Sequence, residues 1–494
     1  MEQSQIDALR AQPIARQKLL IDGKAVPARD GAEMEVLSPI DGKVLTTLAR
    51  GGSSDMNAAI ASARAAFDDG RWAGQPPAAR KKVLTRWADL IEAKALELAV
   101  LGVRDNGTEI NMAFKAEPGS AAATIRYYAE ALDKIYGEVA PTASGVLGLV
   151  HKEPVGVVGA IVPWNFPLMI AAWKLGPALA LGNSVVLKPA ETASLSLIRL
   201  AELALEAGLP PGVLNVVTGE GAVVGEALAL SMDVDALVFT GSGATGRRLL
   251  EYAARSNLKR VYLELGGKSP NIVFADAPDL DEAAMVAATG IFRNSGQVCV
   301  AGSRLLVEAS IHDDFVAAVV RAAEVLKVGD PLDLTSQIGA VNSDRQLAQN
   351  LSFVDRALSE GGQIATGGAR ILQDTGGYYM APTVITGVTP DATIAQQEIF
   401  GPVLGVTPFD TDAEAIRIAN ATTYGLAAGV WTSNLSRAHR MVRAVRAGLV
   451  HVNTYGGSDG TVPLGGVGQS GNGHDKSLHA LEKYLDLKTA WIKL

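Results

Sequence analysis

An α/β architecture built on two parallel sheets is what this chain predicts, and three features predict it. From about residue 155, short apolar runs alternate with longer helical patterns, as successive βαβ units require. A second alternating series begins near residue 271. The length of 494 residues, with 48% hydrophobic and 19% charged, exceeds one ordinary core yet keeps a globular balance, so two or three domains are expected.

The elements follow in order. Met56–Phe67 and Pro77–Val103 read as helices, and Gly145–Lys152 as a strand leaving the main sheet. Val155–Val162, Ser184–Leu187, Val213–Val217, Ala236–Phe239 and Arg260–Leu263 are short apolar runs of the buried-strand type. Helices at Ala193–Ala207 and Gly243–Ala254 lie between them, rich in Leu, Ala, Glu and Arg. The second series reads strand Asn271–Phe274, helix Asp279–Phe292, strand Arg304–Val307, helix His312–Leu326, then strand Val403–Phe409 and helix Asp412–Ala419. A last strand is expected at Leu485–Ile492. It and Gly145–Lys152 lack local partners, so they are expected to pair with each other or with another subunit.

Bulk properties exclude some functions. A net charge of −8, without a Lys/Arg cluster, argues against nucleic-acid binding. The apolar stretch Val155–Leu187 is interrupted by Pro163, Asn165, Pro167 and Lys174, which favours a buried strand and helix over a membrane span. The start lacks a basic region followed by an apolar core, so no signal peptide is read and a cytoplasmic location is expected.

Cys299 is the only cysteine. It cannot form an intramolecular disulfide or build a zinc site alone, and no metal is expected. It is either a small buried hydrophobe or a nucleophile. Gly241-Ser242-Gly-Ala-Thr-Gly246 follows an apolar strand and opens a helix, the context of a dinucleotide fingerprint. Against that reading, the motif follows the fourth strand of its series, where an ordinary dinucleotide fold carries it on the first. Lys188-Pro-Ala-Glu191 ends a strand and offers a clamp for ribose hydroxyls, or else a solvated turn. Glu264, eighteen residues beyond Gly246, is the competing ribose acid. Pro163-Trp164-Asn165-Phe-Pro167 is a rigid turn whose amide either donates to an oxyanion or caps the following helix.

Together these segments resemble the aldehyde dehydrogenase superfamily over nearly the whole chain. The matching motifs are Asn294-x-Gly-Gln-x-Cys299, Leu263-Glu-Leu-Gly-Gly-Lys268, Pro163–Pro167, Lys188–Glu191, Gly241–Gly246, Glu398-Ile-Phe-Gly-Pro-Val403 and Pro463-Leu-Gly-Gly466 with Ser470-Gly471. The resemblance implies a Rossmann-like NAD-binding domain (1–132 and 153–263), a catalytic domain (264–466) and a β oligomerisation element (133–152 and 467–494), assembled as a dimer or tetramer. It implies Cys299 as nucleophile, Glu264 as general base and Asn165 as oxyanion donor, with Lys174 and Asp475 where some members relay protons. It places the cofactor against Pro163, Trp164, Lys188, Glu191, Gly221, Gly241, Ser242, Gly246, Leu265, Glu398 and Phe400. NAD is the expected cofactor, because Glu191 would repel a 2′-phosphate, with NADP possible. Departures are Ser242-Gly243 for a usual Ser-Thr, Gln469 for Lys, and His474-Asp475 for Arg-Glu; the shorter acid bears on any relay. A non-catalytic member would lack Cys299, Glu264 or Asn165, and a CoA-acylating one would lack Glu264.

For the substrate, Trp431–Arg440 and Gly471–Lys483 resemble the γ-glutamyl-γ-aminobutyraldehyde and guanidinobutyraldehyde dehydrogenase branch, which serves polyamine and arginine breakdown. By that match Met169, Ile170, Trp173, Val298 and Val300 line a tunnel to Cys299. Arg293 stands where succinate-semialdehyde dehydrogenases hold a carboxylate, although Trp173 replaces their second arginine. Asp459 is placed to face a substrate ammonium. An ω-amino or γ-glutamylated aliphatic aldehyde is expected, with a carboxylate-bearing semialdehyde or a broad range of apolar aldehydes as alternatives.

Overall fold

The computed structural model describes residues 1–494. Two seven-stranded sheets organise it. The first runs Arg260–Glu264, Ala236–Thr240, Val157–Ile161, Ser184–Lys188, Leu214–Val216, Leu19–Ile21, Lys24–Val26, with the first five strands parallel and the last two antiparallel additions. Val157–Ile161 is the first parallel strand in sequence and sits in the middle. The next two strands add on one side of it and the following two on the other. The fourth strand, Ala236–Thr240, therefore lies directly beside the first. That removes the objection to Gly241–Gly246, because the motif flanks the point where strand order reverses and ligands of open α/β sheets bind.

The second sheet runs Gln363–Thr366, Thr383–Thr386, Val403–Phe409, Arg304–Glu308, Pro270–Val273, Ala427–Trp431, Leu449–Val452, parallel except for its first pair. Leu485–Lys493 pairs antiparallel with Val146–Pro154, which also takes Glu138–Ala140, so the two expected strands do pair with each other.

Local signals explain the main helices. Pro167 occupies the first turn of Pro167–Ala180, where its missing N–H costs nothing, and nearly every residue of that helix is buried. Asp279 caps Leu280–Phe292 by accepting from Glu282 N–H at 2.9 Å. Gly208, at φ +102°, ends Leu195–Ala207 in the left-handed conformation that favours glycine.

One expected element is corrected. Pro77–Val103 is two helices, Pro77–Ala93 and Ala95–Asn106, broken at Lys94. The break lets the second helix return onto Leu195–Ala207, where the Asp105 carboxylate accepts the Leu195 N–H at 2.9 Å. Both halves have good helical propensity, so composition does not reveal a boundary that tertiary packing imposes.

Candidate active site

Residues from both sheets meet where Glu264 leaves the first sheet and Cys299 enters the second. The segment before Cys299 is wound unusually tightly: Asn294, Ser295 and Gly296 have φ of +49°, +53° and +72°. Gly296 is required, since a Cβ there would lie 2.1 Å from the Gly401 carbonyl oxygen. Buried bonds hold the turn. Asn294 Oδ1 accepts from Thr108 Oγ1 at 2.8 Å, Ser295 Oγ donates to Gly339 O at 2.9 Å, and Gln297 Oε1 accepts from Asn342 N–H at 2.8 Å. A strained turn held by these bonds fixes the course of the chain into Cys299, two residues beyond Gln297.

Asn165 does not cap the helix behind it. Its Nδ2 donates to Gln297 O at 2.9 Å, and its own carbonyl accepts from Asn294 Nδ2 at 3.2 Å. The amide is thereby locked to the cysteine-bearing turn, and its second N–H stays free. Across the site, a Cβ on Gly267 would lie 3.0 Å from the Cys299 carbonyl, so Gly267 lets that strand end approach the thiol segment, while Gly266 leaves room for the Glu398 carboxylate.

Burial raises the Cys299 thiol to about 12, and the Glu398 and Glu264 carboxylates add to the rise. Burial likewise lifts Glu264 well above the usual carboxylate range; Asp475 adds to this, while Lys174 and Lys483 oppose it. Glu264 Oε1 has no hydrogen-bond partner. Its side chain faces this cluster, so the ribose-clamp alternative for Glu264 does not fit.

That role fits the Lys188–Glu191 turn. Glu191 Oε1 accepts from Lys188 Nζ at 2.8 Å and from Gly221 N–H at 2.7 Å, leaving its second oxygen unused. Burial acts to raise Glu191, yet Lys188 and these bonds bring it below the usual range. Gly241 N–H donates to Glu264 O at 3.0 Å, and Ser242 Oγ accepts from Thr245 N–H at the start of Gly243–Ala254. Gly246 lies against Leu265, where a Cβ would come within 3.0 Å of the leucine side chain. Trp164, beside Pro163, makes an edge-to-face pair with Phe400 at 5.2 Å. Glu398 accepts from Gly267 N–H at 3.2 Å, and burial raises it to about 7.

A cavity of about 490 Å³ opens from Cys299. Met169, Ile170, Trp173, Arg293, Val298, Val300 and Asp459 all line it. Arg293 forms no salt bridge, and its Nε is buried without an acceptor. Asp459 is exposed, with Oδ1 taken by Thr461 N–H and Oγ1. The sequence reading missed Tyr127, His451 and Lys476 in this wall. Lys476 Nζ donates to Ser458 O at 2.8 Å and lies 5.9 Å from the centroid of the Trp173 ring. Lys476 directly follows Asp475, which was the one available signal.

A parallel sheet with a glycine-rich turn at its switch point, together with a half-buried thiol, an amide and a carboxylate, is the arrangement of a two-sheet α/β oxidoreductase. The model described as "Aldehyde dehydrogenase family" matches residues 26–490, and the chain belongs to that family. It is 51% identical to the NADP/NAD-dependent aldehyde dehydrogenase PuuC of Escherichia coli (strain K12), over 97% of this chain and 96% of that protein. A structure of gamma-glutamyl-gamma-aminobutyraldehyde dehydrogenase from Burkholderia cenocepacia J2315 superposes with TM-score 0.98 at 52% identity, covering 100% of each chain. A structure of indole-3-acetaldehyde dehydrogenase with NAD+ also gives TM-score 0.98 at 52% identity, again over 100% of each chain. No helix is long and apolar enough to cross a membrane.

Proposed function

We propose that this chain oxidises an ω-amino or γ-glutamylated aliphatic aldehyde to its carboxylic acid, with NAD as preferred cofactor and NADP possible, through a Cys299 thiohemiacetal and thioester. The observation that carries the proposal is the Cys299 thiol in the cavity wall, with the Asn165 amide bonded to the turn that leads to it and the unpartnered Glu264 carboxylate near enough to act on its charge.

The residues present fit a nicotinamide dinucleotide. Glu191 offers its unused oxygen to a ribose beside Lys188 and Gly221, and the Gly241–Gly246 turn offers helix-start N–H groups to a pyrophosphate. Glu398 is assigned to the second ribose, with Pro163, Trp164, Leu265 and Phe400 enclosing the ring. When bound, the oxidised nicotinamide supplies a two-electron acceptor and a positive charge. The ionised Glu191 disfavours a 2′-phosphate, which supports the NAD preference.

The chain supplies the remaining chemistry. Cys299, having lost its proton to solvent or to Glu264, adds to the aldehyde carbon as its thiolate. The Asn165 amide and the Cys299 N–H stabilise the resulting oxyanion, each by roughly 2–4 kcal/mol. Glu264, raised by burial, is basic enough to take a proton from the water that hydrolyses the thioester. Lys174, whose ammonium favours the ionised form of Glu264, stands where a relay would pass that proton onward only by first giving up its own.

For the substrate, Arg293 is a guanidinium facing the cavity without a partner, which suits a carboxylate or γ-glutamyl end. Asp459 and Lys476 add one charge of each sign at the loop side, which suits a zwitterionic end. A second reading, a bulky apolar or aromatic aldehyde, is supported by the Met169, Phe166, Trp173 and Tyr127 walls and by the indole-3-acetaldehyde dehydrogenase relative. Measuring kcat/KM for γ-glutamyl-γ-aminobutyraldehyde, succinate semialdehyde, indole-3-acetaldehyde and hexanal decides between them. A preference of tenfold or more for either apolar aldehyde overturns the first reading.

The division into an NAD-binding domain, a catalytic domain and an oligomerisation element is part of the same proposal, supported by the residue ranges of the two sheets and the separate three-stranded one. A homo-oligomer is supported by Val139, Leu487 and Trp491, apolar side chains left exposed on that third sheet.

A further inference from the structure

Behind Glu264 lies a group of charges of which the oxidation scheme uses only Lys174. Asp475 is buried in the C-terminal loop, and its two carboxylate oxygens are shared between two lysines. Oδ2 accepts from Lys174 Nζ, and Oδ1 accepts from Lys483 Nζ at 2.5 Å. The side chains of Lys174, Asp475 and Lys483 are only 1%, 1% and 4% exposed, so their charges are screened by one another and not by bulk water. Lys483 comes from the short Leu478–Tyr484 helical segment, eight residues beyond Asp475, and nothing else in the site explains a buried ammonium there. The titratable groups facing Glu264 are Asp475, Lys174 and Lys483 on one side and Cys299 and Tyr484 on the others; Tyr128 faces Asp475.

The charge count gives Lys483 a purpose. With Glu264 ionised, two carboxylates and two ammoniums balance inside the protein. Without Lys483, ionised Glu264 would leave a net buried negative charge, which is costly away from water. The single carboxylate of Asp475 would also lose the bond that anchors it from the side opposite Lys174.

We propose that Lys483 is a positioning residue for the base step: clamped on Asp475, it holds that acid on Lys174 and makes the ionised form of Glu264 the electroneutral state of the cluster. This rests on Glu264 being the base that hydrolyses the thioester.

The test is the pH dependence of acyl-enzyme decay, followed by quench-flow after a burst of NADH. Lys483→Met should move the limb that reports Glu264 ionisation upward by about one pH unit, because an unbalanced negative charge favours the protonated carboxyl. Decay should then be about tenfold slower below the limb and close to the parent rate above it. Lys483→Arg should stay near the parent profile. The double variant Asp475→Asn/Lys483→Met removes one charge of each sign, and it should return the limb toward its parent position. This double variant also carries the test if Lys483→Met alone does not fold. An unmoved limb in Lys483→Met, or a double variant no closer to the parent than the single one, overturns the inference. Glu264→Gln separates the two layers: if it still turns over at the parent rate, the base assignment itself fails, whereas an inactive Glu264→Gln with an unmoved Lys483→Met profile sinks only the role of Lys483.

Discussion

Replacing Asn165 with alanine isolates the amide donor, and the structure says how large the effect on each property should be. The side chain loses one bond that matters to the fold, the donation from Nδ2 to Gln297 O at 2.9 Å. That acceptor is not orphaned, because Asn294 Nδ2 also reaches Gln297 O at 3.3 Å. The Asn165 carbonyl keeps its own bond from Asn294, since it belongs to the backbone. The stability cost is therefore about one neutral hydrogen bond, roughly 1 kcal/mol, or a few degrees in melting temperature. The catalytic cost is larger. A donor aimed at an oxyanion is worth roughly 2.7–4 kcal/mol, which is a drop of about 100- to 1000-fold in kcat. Stopped-flow NADH formation measures kcat, iodoacetamide labelling reports whether Cys299 is intact and reachable, and thermal melting reports the fold. If kcat stays within about threefold of the parent while labelling and melting are also unchanged, Asn165 is a structural clamp on the cysteine turn and nothing more.

Three other outcomes are expected. Because burial disfavours the thiolate and holds Cys299 near 12, its alkylation rate without cofactor should climb about tenfold per pH unit from 7 to 10; a plateau below pH 9 contradicts this. Gly296→Ala places a Cβ 2.1 Å from Gly401 O at φ +72°, so denaturant unfolding should show a loss of several kcal/mol, and an unchanged midpoint refutes the packing argument. Arg293→Met should cost a carboxylate-bearing aldehyde about 10- to 100-fold in kcat/KM while sparing hexanal, and equal losses on both would remove Arg293 from recognition.

Much of this architecture was legible because its strands are buried on both faces. Runs such as Val157–Ile161 and Ala236–Thr240 are continuous apolar blocks, and each is bounded by residues that break a strand. The order of those strands was not legible, and it decides whether Gly241–Gly246 sits at a switch point or on a plain turn. Composition also concealed the break at Lys94, since both flanking helices are rich in good helix formers. In the site, Asn165, Glu264 and Cys299 were readable as motifs, but the bond from Asn165 to Gln297 joins segments 132 residues apart. Lys476 and Lys483 lay within the segment Gly471–Lys483 that carries the branch resemblance, but nothing in the sequence gave either a role in the site. Lysines near a C-terminus are ordinarily solvated, and only the fold shows that these two are buried.

The buried site creates a conflict between stability and reactivity, and the cluster behind Glu264 bears on it. Burial suppresses the Cys299 thiolate and the ionised Glu264 alike, and each carboxylate near the thiol deepens the first effect. A site governed by burial alone would keep both groups protonated and inert. Positive charge must therefore enter from two directions. On the thiol side, the bound oxidised nicotinamide would provide it during the first half of the reaction and lose it once reduced. On the carboxylate side, Lys174 and Lys483 provide it permanently through Asp475. The timing would suit the two-stage reaction proposed above, in which the nucleophile would need help only until the thioester forms and the base would work afterwards. A measured thiol acidity that did not respond to NAD+ binding would break that division of labour.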